Sequence, residues 1–169
     1  MATGLSLNGW VYPSPRLVTV KVAGANRRLT LDADAVILAA VAADYHRTVA
    51  PIDVGAVDDA GYCDRDGRLT PGRKSNHANG TACDLNWSKE GAGWSQTARS
   101  FWQRVKAKAA IAAIKLRYGS CVTWGGDWNS GRPGGAWDPM HFEIKAGTSR
   151  VKVRALAKKL HIDSNGVRH

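Results

Sequence analysis

The sequence predicts an α+β domain in which two or three helices pack against a small antiparallel sheet. Two runs of alternating polarity, at residues 17–22 and 28–31, flank the turn signal Gly24-Ala25-Asn26, a pattern typical of a β-hairpin. Two longer segments, 35–49 and 95–118, have the length and the apolar spacing of helices. Strand patterns and helix patterns in one short chain indicate the mixed fold class.

The first predicted helix follows directly on the hairpin. Asp32 and Asp34 precede it and are typical N-cap residues, whose side chains accept hydrogen bonds from the first free backbone N–H groups. Pro51 is expected to end the helix, because proline cannot continue its backbone hydrogen bonds. Residues 53–74 are rich in Gly, Asp and Arg and are predicted as a loop with short extended pieces.

The second predicted helix is expected to begin after Ser95 and to stop at Gly119. Apolar residues at helical spacing predict the face that packs on the core: Phe101, Val105, Ala109, Ala112 and Leu116. Basic residues are then interpreted as the solvated side of this helix: Lys106, Lys108, Lys115 and Arg117.

Three further strands are predicted downstream, at residues 81–86, 121–124 and 140–144. The last of them places His141 and Glu143 on its polar face. The stretch 125–137, rich in Gly, Pro and Asn, is predicted as a long loop, and 151–160 as a basic C-terminal helix.

The length of 169 residues fits one domain, since about 100–200 residues per domain is usual. Within that single domain of residues 1–169, we expect residues 1–31 to form an N-terminal hairpin extension. Residues 145–169 are expected to form a basic C-terminal helix or tail.

The chain is strongly basic, with 24 Lys and Arg against 14 Asp and Glu and a formal net charge of +10. A basic surface favours a polyanionic partner such as nucleic acid, a membrane surface or an anionic cell-wall polymer. Charge alone does not choose among these three classes.

Several classes of protein are excluded by composition. Apolar residues make up 44 % of the chain, too many for a disordered protein, yet no run is long enough for a transmembrane helix. Residues 1–15 lack the basic start and apolar run of a secretory signal, so we expect synthesis in a cytoplasm. The three cysteines, at 63, 83 and 121, form neither a disulfide framework nor a cysteine-based zinc pattern.

Two histidines stand in a context that suggests a metal centre. His77 lies seven residues before Asp84, and Gly80 between them allows a turn that brings the two side chains together. His141 lies on the polar face of another predicted strand. Two histidines and one carboxylate leave a fourth coordination position open, which is the pattern of a catalytic rather than a structural zinc site. Asp138, three residues before His141, is the candidate general base.

These residues belong to two longer motifs. The first is Ser75-x-His77-x-x-Gly80-Thr81-Ala82-x-Asp84-Leu85-Asn86. The second has two parts, Trp124-Gly125-Gly126-Asp127-Trp128 followed by Asp138-x-Met140-His141-Phe142-Glu143-Ile144. In combination the motifs resemble the M15 family of zinc peptidases, which includes the VanY-type D,D-peptidases and the L-alanyl-D-glutamate peptidases. The likeness is closest to the phage endolysin branch and covers residues 61–144. It implies the fold shared by D-Ala-D-Ala peptidases and the hedgehog domain.

The resemblance also implies roles for particular residues. It implies one Zn²⁺ per chain, held by His77, Asp84 and His141, with Asp138 as the catalytic carboxylate. Glu143 either orients a ligand or lies in a polar rim, and the rim is the simpler interpretation.

Further residues are candidates for contact with the substrate. The family places an arginine in a Gly-Tyr segment upstream of the histidine motif, which makes Arg65 the candidate that stabilises the oxyanion, with Arg73 as the competing candidate. Ser75 is implied as a group close to the metal ligands. Trp128 and Trp137 flank the Gly-rich loop and are candidates for lining a substrate groove.

The function implied by the resemblance is zinc-dependent hydrolysis of an amide bond in the stem peptide of peptidoglycan. We expect an endopeptidase of the L-Ala-D-Glu type, with a D-Ala-D-Ala carboxypeptidase or a non-catalytic zinc-bearing wall-binding module as alternatives. The expected partners are peptidoglycan and, by charge, anionic wall polymers, with neither nucleic-acid binding nor membrane insertion. We expect the enzyme to act on the cell wall after release from the host cytoplasm through a separate holin-type pore.

Overall fold

Short antiparallel strands and helices follow one another along the chain, which confirms the α+β fold class. The computed structural model describes residues 4–52, 58–90, 101–128 and 137–169. The predicted loops 53–74 and 125–137 and the predicted helix 95–118 therefore lie in part outside the described residues.

Three two-stranded hairpins precede the central sheet. They pair β1 (Gly4–Leu5) with β2 (Val11–Tyr12), β3 (Leu17–Lys21) with β4 (Arg28–Asp32), and β5 (Asp66–Gly67) with β6 (Thr70–Lys74). The predicted hairpin is confirmed as β3 and β4. Its Leu29 and Leu31 are buried and belong to the main hydrophobic core, so this hairpin packs as an integral part of the domain.

The central sheet has three antiparallel strands in the order β7 (Ala82–Asp84), β9 (His141–Ile144) and β8 (Val122–Trp124). Because side chains alternate along a strand, β9 has two different faces. Phe142 and Ile144 point into the core, whereas His141 and Glu143 lie on the opposite face. The sheet thus separates the core from the side that carries the candidate metal ligands.

Four helices are described: α1 (Ile37–Thr48), α2 (Trp87–Glu90), α3 (Phe101–Tyr118) and α4 (Arg150–Lys159). Three of them, α1, α3 and α4, correspond to the helices predicted from the sequence. The Ala-rich α1 is buried along nearly its whole length, and its Tyr45 meets Phe142 edge-to-face with ring centroids 6.1 Å apart. Among the described helices, none combines the length and the apolar character needed to cross a lipid bilayer.

The predicted caps of α1 are wrong. The helix begins at Ile37 after Val36, and no side chain caps it. Asp32 and Asp34 form ion pairs instead: Arg150 contacts both carboxylates, and Arg16 contacts Asp34. The two acids are positioned by distant arginines that local sequence spacing does not reveal.

The predicted apolar face of α3 is also wrong. Its buried residues are Ala107, Ile111, Ile114 and Tyr118, whereas Val105, Ala109, Ala112 and Leu116 are exposed. Both sets recur at helical spacing, on opposite sides of the helix. The set with two isoleucines and a tyrosine offers the larger apolar surface to α1, and the tyrosine hydroxyl donates a hydrogen bond to Asp44 at 2.8 Å.

Candidate metal centre

A tight turn brings His77 towards Asp84. Residues Asn76–Asn79 form one turn of 3-10 helix, and the Ser75 hydroxyl caps it by accepting a hydrogen bond from the backbone N–H of His77 at 3.3 Å. Gly80 closes the turn with φ of 71°, a left-handed conformation that glycine adopts without strain. The chain then enters β7, which ends at Asp84.

Strand pairing brings in the third residue. Asp84 and His141 are direct partners across β7 and β9, so their side chains lie side by side on the same face of the sheet. His141 Nδ1 lies 2.7 Å from Asp84 Oδ1 and 3.3 Å from His77 Nε2. His77 Nε2 in turn lies 3.3 Å from Asp84 Oδ2.

This donor set fits zinc. Each of the three buried residues offers one ligand atom, and these atoms all lie within 4.8 Å of one another. Ligands at zinc distances in a tetrahedron are about 3.3 Å apart, which is the separation of His77 Nε2 and His141 Nδ1. Two imidazoles and a carboxylate are also the donors that a catalytic zinc site uses, with one position left for water or substrate.

The remaining ring nitrogens of the two histidines are held by other groups. His77 Nδ1 donates to the carbonyl oxygen of Gly61 at 2.6 Å, and His141 Nε2 donates to Glu143 Oε2 at 3.0 Å. Asn76 Nδ2 also donates to this carboxylate oxygen, at 2.6 Å. Such contacts fix the tautomer and the orientation of a metal-binding imidazole. The interpretation of Glu143 as a mere polar rim is therefore wrong.

The charges in the cluster are strongly coupled. Burial raises the pKa of Asp84, but hydrogen bonds with His141 and His77 outweigh it, and the net pKa lies well below its usual range. Burial would lower the pKa of His141, whereas its hydrogen bonds to Asp84 and Glu143 raise that pKa to about 10. Without metal the carboxylates thus hold a proton on His141, and a bound cation would take the place of that positive charge.

A cavity of about 260 Å³ opens beside the three donors. His141, Asp138 and Glu143 contribute its polar floor, and Trp128 and Trp137 contribute aromatic walls. The Trp128 ring lies 5.1 Å from the His141 ring, centroid to centroid. A cleft with convergent polar groups and flat aromatic walls suits a peptide or a glycopeptide.

Asp138 reaches the cavity through a close backbone approach. Its N–H donates to the carbonyl oxygen of Gly125 at 3.0 Å, and a Cβ at Gly125 would collide with the Asp138 backbone. Burial raises the pKa of Asp138 above its usual value, while the nearby charges of His141 and Arg68 oppose this rise. A half-buried carboxylate of raised pKa in a cleft is a candidate general base.

The structure brings one of the two candidate arginines to the site. Arg65 lines the cavity, and its Nη2 lies 3.6 Å from Asp84 Oδ2. Arg73, on β6, is exposed and is not among the residues that line the cavity. Ser75 lines the cavity as well, next to His77.

Sequence reasoning missed Arg68, which lies in the turn between β5 and β6. Arg68 is exposed at the cavity, and none of the ion pairs found in the described part of the chain includes it. No motif marks this residue, and only the folding of the β5–β6 hairpin over the cleft reveals it. Glu143, by contrast, had a usable signal, because it lies two residues after His141 and so shares its face of β9.

The described fold thus brings two histidines and an aspartate into a donor set that could hold a metal ion beside a cavity. Residues 69–144, less than half of the chain, match the family model described as D-alanyl-D-alanine carboxypeptidase, of peptidase family M15. This match supports the M15 family and, at the level of that family, a peptidase that acts on peptidoglycan. No curated protein and no solved structure gave a match.

Proposed function

We propose that the protein is a zinc-dependent peptidase that hydrolyses an amide bond in the stem peptide of peptidoglycan. The observation that carries the proposal is the convergence of His77, Asp84 and His141 beside a cavity that contains Asp138. The match of residues 69–144 to a family of D-alanyl-D-alanine carboxypeptidases supports it independently. A module that only binds the wall would have no use for the carboxylate of Asp138.

His77 Nε2, Asp84 and His141 Nδ1 would hold the zinc ion. When bound, zinc polarises a carbonyl group and lowers the pKa of water towards about 7. Asp138 accepts the proton of the attacking water and passes it to the leaving amine, and its raised pKa suits both transfers. Arg65 places positive charge where the carbonyl oxygen of the substrate becomes negative.

Two bonds of the stem peptide are candidates for the one that is cut. The endolysin-like motif around Asp138 favours an endopeptidase of the L-Ala-D-Glu type. The description of the matched family favours a D-Ala-D-Ala carboxypeptidase as the second candidate. In either case Arg68 can form an ion pair with a carboxylate of the substrate. It lies at the cavity, and no ion pair within the described part of the chain includes it.

The net charge of +10 supports attraction of the enzyme to anionic wall polymers. The proposed endolysin role, with release from a cytoplasm to the wall, stays a prediction.

The deciding experiment follows the release of free amines from purified peptidoglycan, with the native protein, with a chelator, and with zinc restored after chelation. We expect release that the chelator abolishes and that zinc restores. Equal release without metal would refute the zinc mechanism, and wall binding without any release would favour the binding module. Mass analysis of the products distinguishes free D-alanine from cleavage between L-Ala and D-Glu.

A further inference from the structure

The outward side of α3 carries a continuous apolar stripe. Its five residues recur at intervals of three and four along the helix, and we call them the α3 stripe: Trp102, Val105, Ala109, Ala112 and Leu116. The three large side chains are 69 %, 43 % and 89 % exposed for Trp102, Val105 and Leu116. An apolar stripe on a surface helix that already packs its opposite side on the core needs a separate explanation.

Basic residues border the α3 stripe on both sides. Lys108 and Lys115 are seven residues apart and share one border, and Lys106 and Arg117 are eleven apart and share the other. Arg117 pairs with Asp44 and Lys115 pairs with Asp127, at 2.6 Å for the second pair. Within the described residues no ion pair is found for Lys106 or Lys108, and α3 contains no acidic residue at all.

We propose that α3 docks its stripe on the surface of an anionic lipid bilayer and lies in the plane of that surface. Helices of this kind combine an apolar strip containing Trp and Leu with flanking lysines that reach the lipid headgroups. The helix does not span the membrane, because its opposite side, with Ile111, Ile114 and Tyr118, stays packed on the core.

The charge pattern argues for lipid over the two other occupants. A second copy of the chain would bring two sets of lysines of the same sign together around the stripe, which opposes association. A hydrophilic polyanion would satisfy the lysines but would leave Leu116 and Trp102 in water. An anionic bilayer offers an apolar layer and negative charge in the same place.

The proposed membrane surface is separate from the candidate metal centre. None of the described residues that line the catalytic cavity belongs to the α3 stripe. Membrane binding and peptidoglycan hydrolysis can therefore be measured, and can fail, independently of each other.

The test uses the full chain in a vesicle flotation assay. One set of vesicles is an equimolar mixture of phosphatidylglycerol and phosphatidylcholine, and the other is phosphatidylcholine alone. We expect binding to the anionic vesicles that exceeds binding to the neutral ones at least about tenfold and that falls as salt increases. Equal binding to both sets, or binding to neither, would overturn the proposal.

Two variants separate the stripe from general surface charge. Leu116→Glu places a carboxylate in the stripe at a highly exposed position, and binding to anionic vesicles should fall at least about tenfold with an unchanged circular dichroism spectrum. Val151→Glu is the matched control, because Val151 on α4 is 67 % exposed and lies outside the stripe. A loss with Val151→Glu as large as that with Leu116→Glu would overturn the assignment to α3.

The lysines are tested with the double variant Lys106→Gln and Lys108→Gln. Each lysine near an anionic surface contributes about fivefold in affinity, so the double variant should bind the anionic vesicles about 25-fold more weakly. Sedimentation of the native protein tests the competing occupant. If the native protein is a dimer and Leu116→Glu dissociates it, the α3 stripe binds a second copy of the chain and the lipid proposal is overturned.

Discussion

At the scale of single residues, His141 is held on both of its nitrogens by carboxylates, Asp84 on Nδ1 and Glu143 on Nε2. Only the contact with Asp84 lies on the side of the ring that faces the other candidate metal ligands. The contact with Glu143 fixes the ring so that Nδ1 is presented to His77 and Asp84. One histidine thus connects the donor set to the polar network around Asn76.

Replacing Asp138 by Asn keeps the size of the side chain and removes its ability to accept a proton. We expect the metal content to stay near one ion per chain, while peptidoglycan hydrolysis falls by about 10²–10⁴-fold. Metal analysis and amine release measure the two quantities. Asp127→Asn is the control, because Asp127 is exposed and pairs with Lys115 outside the cavity. Loss of metal from Asp138→Asn would show that Asp138 is a ligand instead of a base.

Replacing Arg68 by Gln removes a positive charge that lowers the pKa of Asp138. The pKa of Asp138 should rise further above its usual value, so a higher pH is needed to ionise the base. We expect the acid limb of kcat/KM to move to higher pH. Arg28→Gln, at an exposed position on β4, should leave that limb in place. If the acid limb does not move in Arg68→Gln, the charge of Arg68 does not set the pKa of the catalytic base.

Much of the site is accessible from the sequence because its spacing is local. Gly80 indicates that His77 and Asp84 converge, and Asp138 lies close to His141 in sequence, but the two pairs meet only through the pairing of β7 with β9. Arg68 was not predictable, because its position depends on how the β5–β6 hairpin folds over the cleft.

At the scale of secondary structure elements, the turn before β7 is clamped against β4. The N–H of Asp32 donates to the carbonyl oxygen of Gly80 at 2.9 Å. A Cβ at Gly80 would come within 2.5 Å of that same nitrogen and 2.8 Å of the Leu31 carbonyl carbon. Only glycine allows the hairpin and the turn with His77 to approach so closely.

Replacing Gly80 by Ala should therefore destabilise the metal-free protein by about 2 kcal/mol or more, from the left-handed backbone and the collision with β4. Metal affinity should fall too, because His77 and Asp84 lie on either side of the turn. Urea unfolding with a chelator measures the first effect and zinc titration the second. Gly72→Ala is a useful comparison, since Gly72 also has positive φ but meets nothing within 4 Å. Equal losses in both variants would exclude the close approach as a cause.

Element positions were easier to predict than element faces. The hairpin and the helices α1 and α4 lie within a few residues of their predicted positions, because periodicity and turn residues are local signals. The face of α3 was wrong because an Ala-rich helix has two apolar sides, and only contact with α1 selects one of them. The caps of α1 failed for a similar reason, since Arg150 on α4 engages Asp32 and Asp34.

At the scale of the whole molecule, two buried aspartates gather arginines from distant parts of the chain. Asp34 pairs with Arg16, Arg150 and Arg154. Asp44 pairs with three others: Arg47, Arg117 and Arg168. A chain with a net charge of +10 thereby offsets part of its own repulsion. Asp34 links the segment before α1 to α4, and Asp44 links α1 to α3 and to the C-terminal residues.

The Asp34 cluster predicts a loss of stability in acid. Burial raises the pKa of Asp34. Hydrogen bonds from Arg150 and Arg154 and the charge of Arg16 lower that pKa by a larger amount, so the net pKa is below the usual value. Stability from this group is complete above the unfolded pKa of about 3.9 and is lost as the pH falls through the lower folded value.

Asp34→Asn should lower the free energy of unfolding at pH 7 on the order of 2 kcal/mol. The difference from the native protein should begin to shrink below about pH 4, the unfolded pKa, and should vanish once the pH is below the lower folded pKa of Asp34. Urea unfolding across this pH range measures the change. Asp66→Asn, at an exposed position, should follow the native curve. A difference for Asp34→Asn that is constant with pH would indicate a packing effect instead.

The two faces of β9 have a consequence for how this protein can change over time. Phe142 and Ile144 complete the core, and His141 and Glu143 belong to the candidate metal centre, within four consecutive residues. An insertion or deletion of one residue within β9 would exchange its faces, placing imidazole and carboxylate among apolar side chains and a phenyl ring in the cleft. Such a change would destabilise the fold and disrupt the candidate metal centre at the same time. We therefore expect β9 to vary by substitution of single residues and not by changes in its length.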